Sequence, residues 1–175
     1  GKYCIITFEG EFIMDIGQQG LDLIKHYESC SLTMYYDSVG IKTIGWGHTG
    51  PDVTKGQTIT QEQADSLLLS DVEYFVNLLN ENIGDIELEQ YQFDALVSFL
   101  YNVGPGKVGV KDGLFVLKNG STSTLWKMVQ DGNLDGATEQ FLQWTRGGGT
   151  ILRGLVSRRK SESHLFKTGD LVFYN

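Results

Sequence analysis

The sequence has no run of about 18 consecutive apolar residues, which is close to the shortest stretch that a membrane-spanning helix needs. It therefore predicts no stable insertion into a membrane. Internal repeats and low-complexity segments are also missing. The 175 residues, of which 41% are hydrophobic and 21% charged, suffice for one folded domain with a sizeable core.

Cysteine is scarce. Cys4 and Cys30 are too few to indicate a disulfide framework. Two free thiols in a protein made in the cytosol are favoured, and pairing in an oxidising compartment stays open.

Positive charge is in the minority, and the formal net charge is −8. This balance argues against a nucleic-acid partner and would slow encounter with an anionic polymer. Several basic residues nevertheless fall in the last third of the chain, where they form either a locally positive face or scattered solvated charges: Arg146, Arg153, Arg158, Arg159, Lys160 and Lys167.

The N-terminus is hard to assign. Residues 4–8 form a short, β-prone apolar run, too short for the core of a signal peptide, which takes about 7–15 residues. It could be a native edge strand, a linker, or a piece added by cloning in front of Met14. We divide the chain into an extension (1–16), a main domain (17–168) and a C-terminal tail (169–175).

The remaining pattern predicts an α+β fold. A short helix over 17–29 precedes a Thr-, Tyr- and Gly-rich stretch at 31–58, which is typical of an antiparallel hairpin or three-stranded sheet. Thr60 and Gln63 form a capping box that starts a long helix. Further helices are predicted near 88–103, 112–118, 121–131, 135–145 and 154–166. A cleft between the small β lobe and the helical lobe would suit an extended polymer.

Two carboxyls flank the predicted start of the β lobe. Glu28 ends the first helix, Asp37 opens the sheet region, and Thr43 follows six residues later. Cleaving a glycosidic bond needs an acid that protonates the leaving oxygen and a second group that attacks or activates water. The pair alone is weak evidence, because acidic residues nine positions apart are common.

The surrounding residues are far more specific. The pattern Glu28-x8-Asp37-x5-Thr43 runs into Ile44-Gly45-Trp46-Gly47-His48-Thr49 and closely resembles the signature of the phage lysozymes, glycoside hydrolase family 24. Residues 92–104, 141–144 and 154–166 are similar to later parts of that family, in the same order. The resemblance covers roughly residues 17–168.

The resemblance implies a lysozyme-like fold and a muramidase that cuts the β-1,4 bond between N-acetylmuramic acid and N-acetylglucosamine. Glu28 would be the proton donor, and Asp37 with Thr43 would hold and activate water. The family is associated with inversion, which places the two carboxyls about 6.5–9.5 Å apart. No metal or other cofactor is implied.

The same resemblance implies a biological setting. The partner would be the glycan strands of peptidoglycan, and the protein would be a monomer. It would be made in the cytoplasm of a bacterial host and act on the wall in the periplasm, lysing the host.

Seven residues are candidates for substrate binding, each with a structural alternative. Gly45 and Gly47 would let a sugar approach the backbone or would only shape a turn. His48 would touch substrate, although a hydrogen bond to an acid on the following helix is favoured. Tyr101 and Asn102 would face the cleft, with a core position for Tyr101 nearly as plausible. Either Arg158 or Arg159 would hold Glu28 or a substrate carboxylate, the other being a structural ion-pair partner.

Three other functions remain open. A lytic transglycosylase keeps the acid but uses a hydroxyl of its own substrate, so it needs neither Asp37 nor Thr43. A wall-binding module without activity would be expected to have lost Glu28. A muramidase carried in a phage tail or as a secretion-system effector would perform the same reaction by another delivery route.

Overall fold

The structure is a computed structural model that describes residues 3–6, 9, 10 and 12–175. Part of the proposed extension at 1–16 therefore lies outside the described residues. Within the described part, the elements in chain order are β1 Cys4–Ile6, β2 Phe12–Met14, α1 Gln18–Tyr27, β3 Ser31–Tyr36, β4 Lys42–Gly45, β5 His48–Thr49, α2 Gln61–Ile83, α3 Gln90–Val103, α4 Thr124–Gln130, α5 Leu134–Phe141, β6 Arg146–Gly147, β7 Thr150–Ile151 and α6 Arg153–Thr168.

Strands β3, β4 and β5 form the antiparallel sheet that the residue pattern predicts. Thr43 lies at its centre, opposite Tyr35 on one side and Thr49 on the other. Residues directly opposite each other in an antiparallel sheet point to the same face. Helix α2 packs against β4 and carries the chain from this lobe into the helical lobe.

Helix α2 begins as predicted. The Thr60 hydroxyl accepts a hydrogen bond from the Gln63 backbone, and the Gln63 side chain bonds back to the Thr60 N–H. Both bonds satisfy N–H groups that the first helical turn leaves without partners. The apolar stripe of α2 then enters the core at Leu68, Val72, Val76 and Leu79.

Helix α3 is the centre of the helical lobe and packs against α1, α2 and α6. Its residues from 92 to 100 are all buried, so the helix has no solvent-facing side over that span. The candidate site lies where the C-terminal ends of α1 and α3 meet α2 and the sheet, with α6 packed behind them.

Both terminal segments are attached to this lobe. In the N-terminal hairpin, Met14 exchanges backbone hydrogen bonds with the Asn80 side chain of α2. At the other end, the Phe173 ring stacks on His26 with 4.0 Å between ring centres. The backbone N–H and carbonyl of Tyr174 both bond to the Tyr27 hydroxyl. The C-terminal tail therefore packs across the end of α1.

The prediction of a helix at 112–118 is wrong. This segment is an irregular loop, and backbone bonds from Leu114 and Phe115 to the carbonyls of Gly104 and Pro105 fold it back on the end of α3. Gly113 packs so closely on the Gly106 backbone that an added Cβ would lie 1.9 Å from its nitrogen. The apolar run was therefore misread: Leu114 is buried through loop packing, without helical periodicity.

The N-terminus of α1 is capped from another helix. Its N-cap residue, Gly17, has no side chain to offer. The Asp94 carboxylate of α3 instead accepts hydrogen bonds from the backbone N–H groups of Gly17 (2.8 Å) and Gly20 (3.3 Å) and from the Gln90 side chain. Burial raises the pKa of Asp94, and these donors partly offset that effect.

We expect Asp94→Ala to lower the free energy of unfolding by about 2 kcal/mol, because two buried N–H groups lose their acceptor. Urea denaturation followed by circular dichroism measures the loss. The matched control is Asp85→Ala at an exposed loop position, which should change stability little. Equal losses in the two variants would contradict the capping role.

Candidate active site

Glu28 stands where α1 ends and the chain turns into the sheet. Its backbone is extended, and its N–H still bonds to the Ile24 carbonyl, so the helix fixes the backbone position of the residue. The side chain is 25% exposed. A carboxyl held on a helix end and open to solvent on one side is placed to meet a ligand.

The two carboxylate oxygens of Glu28 have different surroundings. Oε1 accepts a hydrogen bond of 2.8 Å from Arg158 Nη1. Oε2 lies 3.5 Å from the place that a Cβ on Gly47 would occupy. Oε1 is therefore bound from inside the protein, and Oε2 is the oxygen on the Gly47 side.

A groove of about 410 Å³ opens beside this carboxyl. One wall is contributed by the sheet lobe and the Glu28 turn, and the others by α2 and the end of α3. Its lining residues are Glu28, Gly47, Thr49, Ser70, Asp71, Tyr74, Phe75, Tyr101 and Asn102.

The turn that carries Gly47 is anchored on both sides by Trp46. The indole N–H donates to the Asp65 carboxylate on α2 (2.8 Å), and the Trp46 carbonyl accepts from the Tyr101 hydroxyl on α3 (3.2 Å). The hydrogen bond from Trp46 lowers the pKa of Asp65. These two bonds hold Gly47 against Glu28.

His48 bridges two carboxylates. Its Nδ1 lies 2.8 Å from Asp71 Oδ2, and its Nε2 lies 2.9 Å from Asp52 Oδ2. Burial lowers the pKa of His48, but the hydrogen bonds and charges of Asp71 and Asp52 outweigh it, so the pKa is raised overall. Only the imidazolium donates from both nitrogens, and that form holds Asp71 at the groove.

Behind Glu28 lies a buried group of charges. The Glu162 carboxylate lies 3.5 Å from Arg158 Nε and 2.6 Å from Arg159 Nε, and it accepts a hydrogen bond from Ser98 (2.7 Å). Arg158, Arg159 and Glu162 are at most 3% exposed. Burial lowers the pKa of Arg159, and the Glu162 charge partly restores it. Glu162 thus supplies the negative charge that keeps both guanidinium groups in place.

Asp37 and Thr43 lie on the sheet, and neither lines the groove beside Glu28. The Asp37 N–H bonds to the Ile41 carbonyl, which extends the pairing of β3 and β4 by one residue. The two-residue alternation along β3 therefore brings Asp37 to the sheet face that carries Thr43 and the groove-lining Thr49. Asp37 Oδ1 accepts from the N–H groups of Val39 and Ile41 within the turn.

Comparisons with known proteins identify the family of the chain. A family model described as phage lysozyme matches residues 25–162. The chain belongs to the phage lysozyme family. An endolysin of Bacillus phage B103 is 40% identical over 160 residues, covering 90% of this chain and 56% of its own. An endolysin of Acyrthosiphon pisum secondary endosymbiont phage 1 is 36% identical over 159 residues, covering 89% and 99%.

The fold of this phage lysozyme family member has close counterparts among solved structures. An endolysin from Escherichia coli O157:H7 phage FAHEc1 is 34% identical, covers 91% of this chain and 97% of its own, and superimposes with a TM-score of 0.76. The α+β, lysozyme-like prediction is therefore confirmed. The chain spans about 56% of the length of the two Bacillus phage endolysins that it matches.

The structure distinguishes the roles of the two candidate arginines. Arg158 is the one that binds Glu28. Arg159 is 0% exposed and bonds to Glu162 and Asn102, so the prediction that it contacts substrate is wrong for this geometry. Its charge needs buried partners, and these hold it below the groove surface.

Two further substrate-binding predictions need correction. Gly45 is buried and faces Ala64 of α2, with 3.5 Å from its hypothetical Cβ to the Ala64 Cβ, so it serves turn formation and packing. His48 does not line the groove; the alternative of a hydrogen bond to an acid on α2 is confirmed by Asp71. Gly47, Tyr101 and Asn102 do line the groove.

Sequence reasoning missed the contribution of α2. Ser70, Asp71 and Tyr74 line the groove, although they lie beside the apolar stripe and resemble ordinary solvated positions in the sequence. Tyr74 is 59% exposed, which is high for an aromatic ring. The one available signal was His48, whose expected acidic partner on this helix turned out to be Asp71.

No group of His, Cys, Asp and Glu in the described part of the chain is arranged to hold a metal ion. Over the same residues, no helix combines the length and apolarity needed to cross a bilayer. Both cysteines have free thiols.

The raised pKa of His48 makes the stability of the fold depend on pH. Because the folded state binds this proton more tightly, the contribution is complete below the usual histidine pKa of 6.5 and is lost as the pH rises through the folded-state value. We expect Asp71→Asn to lower the melting temperature at pH 5.5 by about 2–4 °C, corresponding to about 1 kcal/mol, and by less at pH 8.5. Asp85→Asn is the exposed control. A difference that stays constant across this range would contradict the assignment.

Proposed function

We propose that this chain hydrolyses the glycan strands of peptidoglycan as a muramidase, with Glu28 as the general acid. The observation that carries the proposal is the carboxyl of Glu28, bound at Oε1 by Arg158 and free at Oε2 on the side of the groove. A glycosidase needs a proton donor fixed at the wall of an open groove. Family membership and the endolysin relatives support the same reaction.

The ion pair determines which oxygen delivers the proton. Arg158 donates an N–H to Oε1, and protonation of that oxygen would reduce its capacity to accept this bond. The transferable proton therefore belongs on Oε2, which lies on the Gly47 side. A leaving oxygen has to come within hydrogen-bond distance of Oε2, about 2.6–3.2 Å, for transfer to occur.

We assign Asp37 and Thr43 to the water that attacks the sugar from its other face. Asp37 Oδ1 accepts hydrogen bonds from two backbone N–H groups, and Oδ2 has no hydrogen-bond partner among the described residues. An ionised carboxylate with one free oxygen can hold a water molecule and accept its proton. We expect inversion at the anomeric carbon, which requires a separation of about 6.5–9.5 Å between the two carboxyls to leave room for the water.

The alternative reaction is that of a lytic transglycosylase, and the products separate the two. A hydrolase leaves reducing ends, whereas a transglycosylase leaves anhydromuramic ends. Mass spectrometry of digested peptidoglycan should therefore show reducing ends only. Anhydromuramic products would remove the role of Asp37 and keep that of Glu28.

The proposal extends to the organisation and setting of the chain. We assign catalysis to residues 17–168 and expect a monomer, made in the cytoplasm of a host bacterium and acting on its wall. Carriage in a phage tail or as a secretion-system effector would leave the chemistry unchanged.

We expect Glu28→Gln to slow the clearing of permeabilised Gram-negative cells by at least about 10²-fold, because the amide has no acidic proton to give. Turbidity measures the rate, and Glu87→Gln at an exposed position is the control. Asp37→Asn should also clear slowly. If Glu28→Gln and wild type clear equally fast, the assignment of the acid is refuted.

Gly47→Ala tests the space in front of the acid. Gly47 has φ +90°, and its new methyl group would lie 3.5 Å from Glu28 Oε2. We expect about a tenfold or greater loss of rate, because the methyl group displaces the sugar from the acid. Gly56→Ala is a matched control, with φ +77° and nothing within 4 Å of its Cβ. Both variants place an alanine at positive φ, which costs about 1–2 kcal/mol, so a loss of rate that is equal in both would count against the steric explanation.

A further inference from the structure

Asn102 lines the groove and is held in one orientation from behind. Its Oδ1 accepts a hydrogen bond of 2.8 Å from Arg159 Nη2. A guanidinium has donors only, so the amide atom that faces Arg159 has to be the oxygen. The Asn102 Nδ2, with its two N–H donors, is therefore turned away from Arg159.

Arg159 itself has no freedom to enter the groove. Its guanidinium carbon lies 4.8 Å from the centre of the Phe99 ring, and its Nε lies 2.6 Å from Glu162 Oε1. The side chain is 0% exposed. Arg159 therefore acts on the groove through Asn102.

The other polar side chains of the groove offer different chemistry. Glu28 and Asp71 present carboxyls, and Thr49, Ser70 and Tyr74 present hydroxyls. The Glu28 proton is assigned to the leaving oxygen, and an ionised carboxylate has nothing to donate to a carbonyl. A hydroxyl offers one donor, whereas an amide nitrogen offers two. Among the described side chains that line the groove, Asn102 is the one amide.

We propose that Asn102 recognises the acetamido carbonyl of an N-acetylated amino sugar, and that Arg159 is the positioning residue that keeps the amide N–H groups available. The inference rests on the proposed function, because it takes a wall glycan as the ligand. The acetamido carbonyl is an amide acceptor, the natural partner of an amide N–H. A deacetylated sugar presents an ammonium, which has donors only, and leaves Asn102 unpaired in the groove.

Sacculi of defined acetylation test this proposal. Three samples are compared: fully acetylated, deacetylated at glucosamine, and deacetylated at muramic acid, with chemical re-acetylation as the control for damage. Wild type should lose at least about tenfold in kcat/KM on one of the deacetylated samples. The sample that responds identifies the sugar bound at Asn102.

The decisive readout is the ratio of rates on acetylated and deacetylated sacculi. Partial misfolding removes the same share of active enzyme from both assays, so it leaves this ratio unchanged. Asn102→Ala should bring the ratio near one. Asn102→Asp should keep the bond to Arg159 but replace the N–H donors by an oxygen, and should invert the ratio in favour of the ammonium sugar. Asn119→Asp, an exposed position with the same change of charge, should behave as wild type.

Arg159→Lys tests the positioning role. The lysine keeps a buried positive charge but removes the guanidinium fork that orients the amide. The ratio of rates on acetylated and deacetylated sacculi should therefore fall towards that of Asn102→Ala. The rise in KM should be larger than any fall in kcat. A wild-type ratio in Asn102→Ala would overturn the proposal for Asn102, and a wild-type ratio in Arg159→Lys would overturn the positioning role.

A binding measurement separates failure of this inference from failure of the proposed function. If wild type releases no fragments from acetylated sacculi, the muramidase assignment fails. Co-sedimentation of Glu28→Gln, with and without Asn102→Ala, on the same three samples then gives the answer without turnover. Equal retention on acetylated and deacetylated sacculi by both proteins would overturn the role of Asn102.

Discussion

The ion pair between Arg158 and Glu28 joins the last helix of the domain to the end of the first, and the candidate site depends on it. Arg158 is buried, so its charge requires partners on every side: Glu28 in front, Glu162 behind, and the Ser98 carbonyl beside it. Removing one member of such a group leaves another charge unpaired in a dry environment, which is costly. The acid is thus held in place by a charge that the surrounding helices require.

The same principle recurs around the groove. Each of three polar groups that face the groove is bound by a residue that lies behind it: Glu28 by Arg158, Asn102 by Arg159, and Asp71 by His48. Packing and contacts from behind restrict the rotamers that such a side chain can adopt. Two of the six basic residues that suggested a positive face in the sequence, Arg158 and Arg159, are buried in this arrangement.

The sequence was sufficient for the fold and for part of the site. Periodicity and the Thr60 capping box predicted α2 to within a residue at its start, because those signals are local. Contacts between distant parts of the chain could not be predicted. Nothing in the local sequence indicates that Asp94 caps α1, or which arginine pairs with Glu28. The loop at 112–118 was misread because its apolar residues are buried by folding back on α3. The prediction of inversion remains a prediction.

The packing of the C-terminal tail has a mechanical consequence. Phe173 and Tyr174 rest on His26 and Tyr27, the two residues just before Glu28. A force applied to the chain beyond this tail, by a tether to a surface or by a bulky fused partner, would load these contacts together with those that Tyr174 makes to Ser161 and His164 of α6. Strain would therefore reach the segment that orients the acid, and a fusion partner is best joined through a slack spacer.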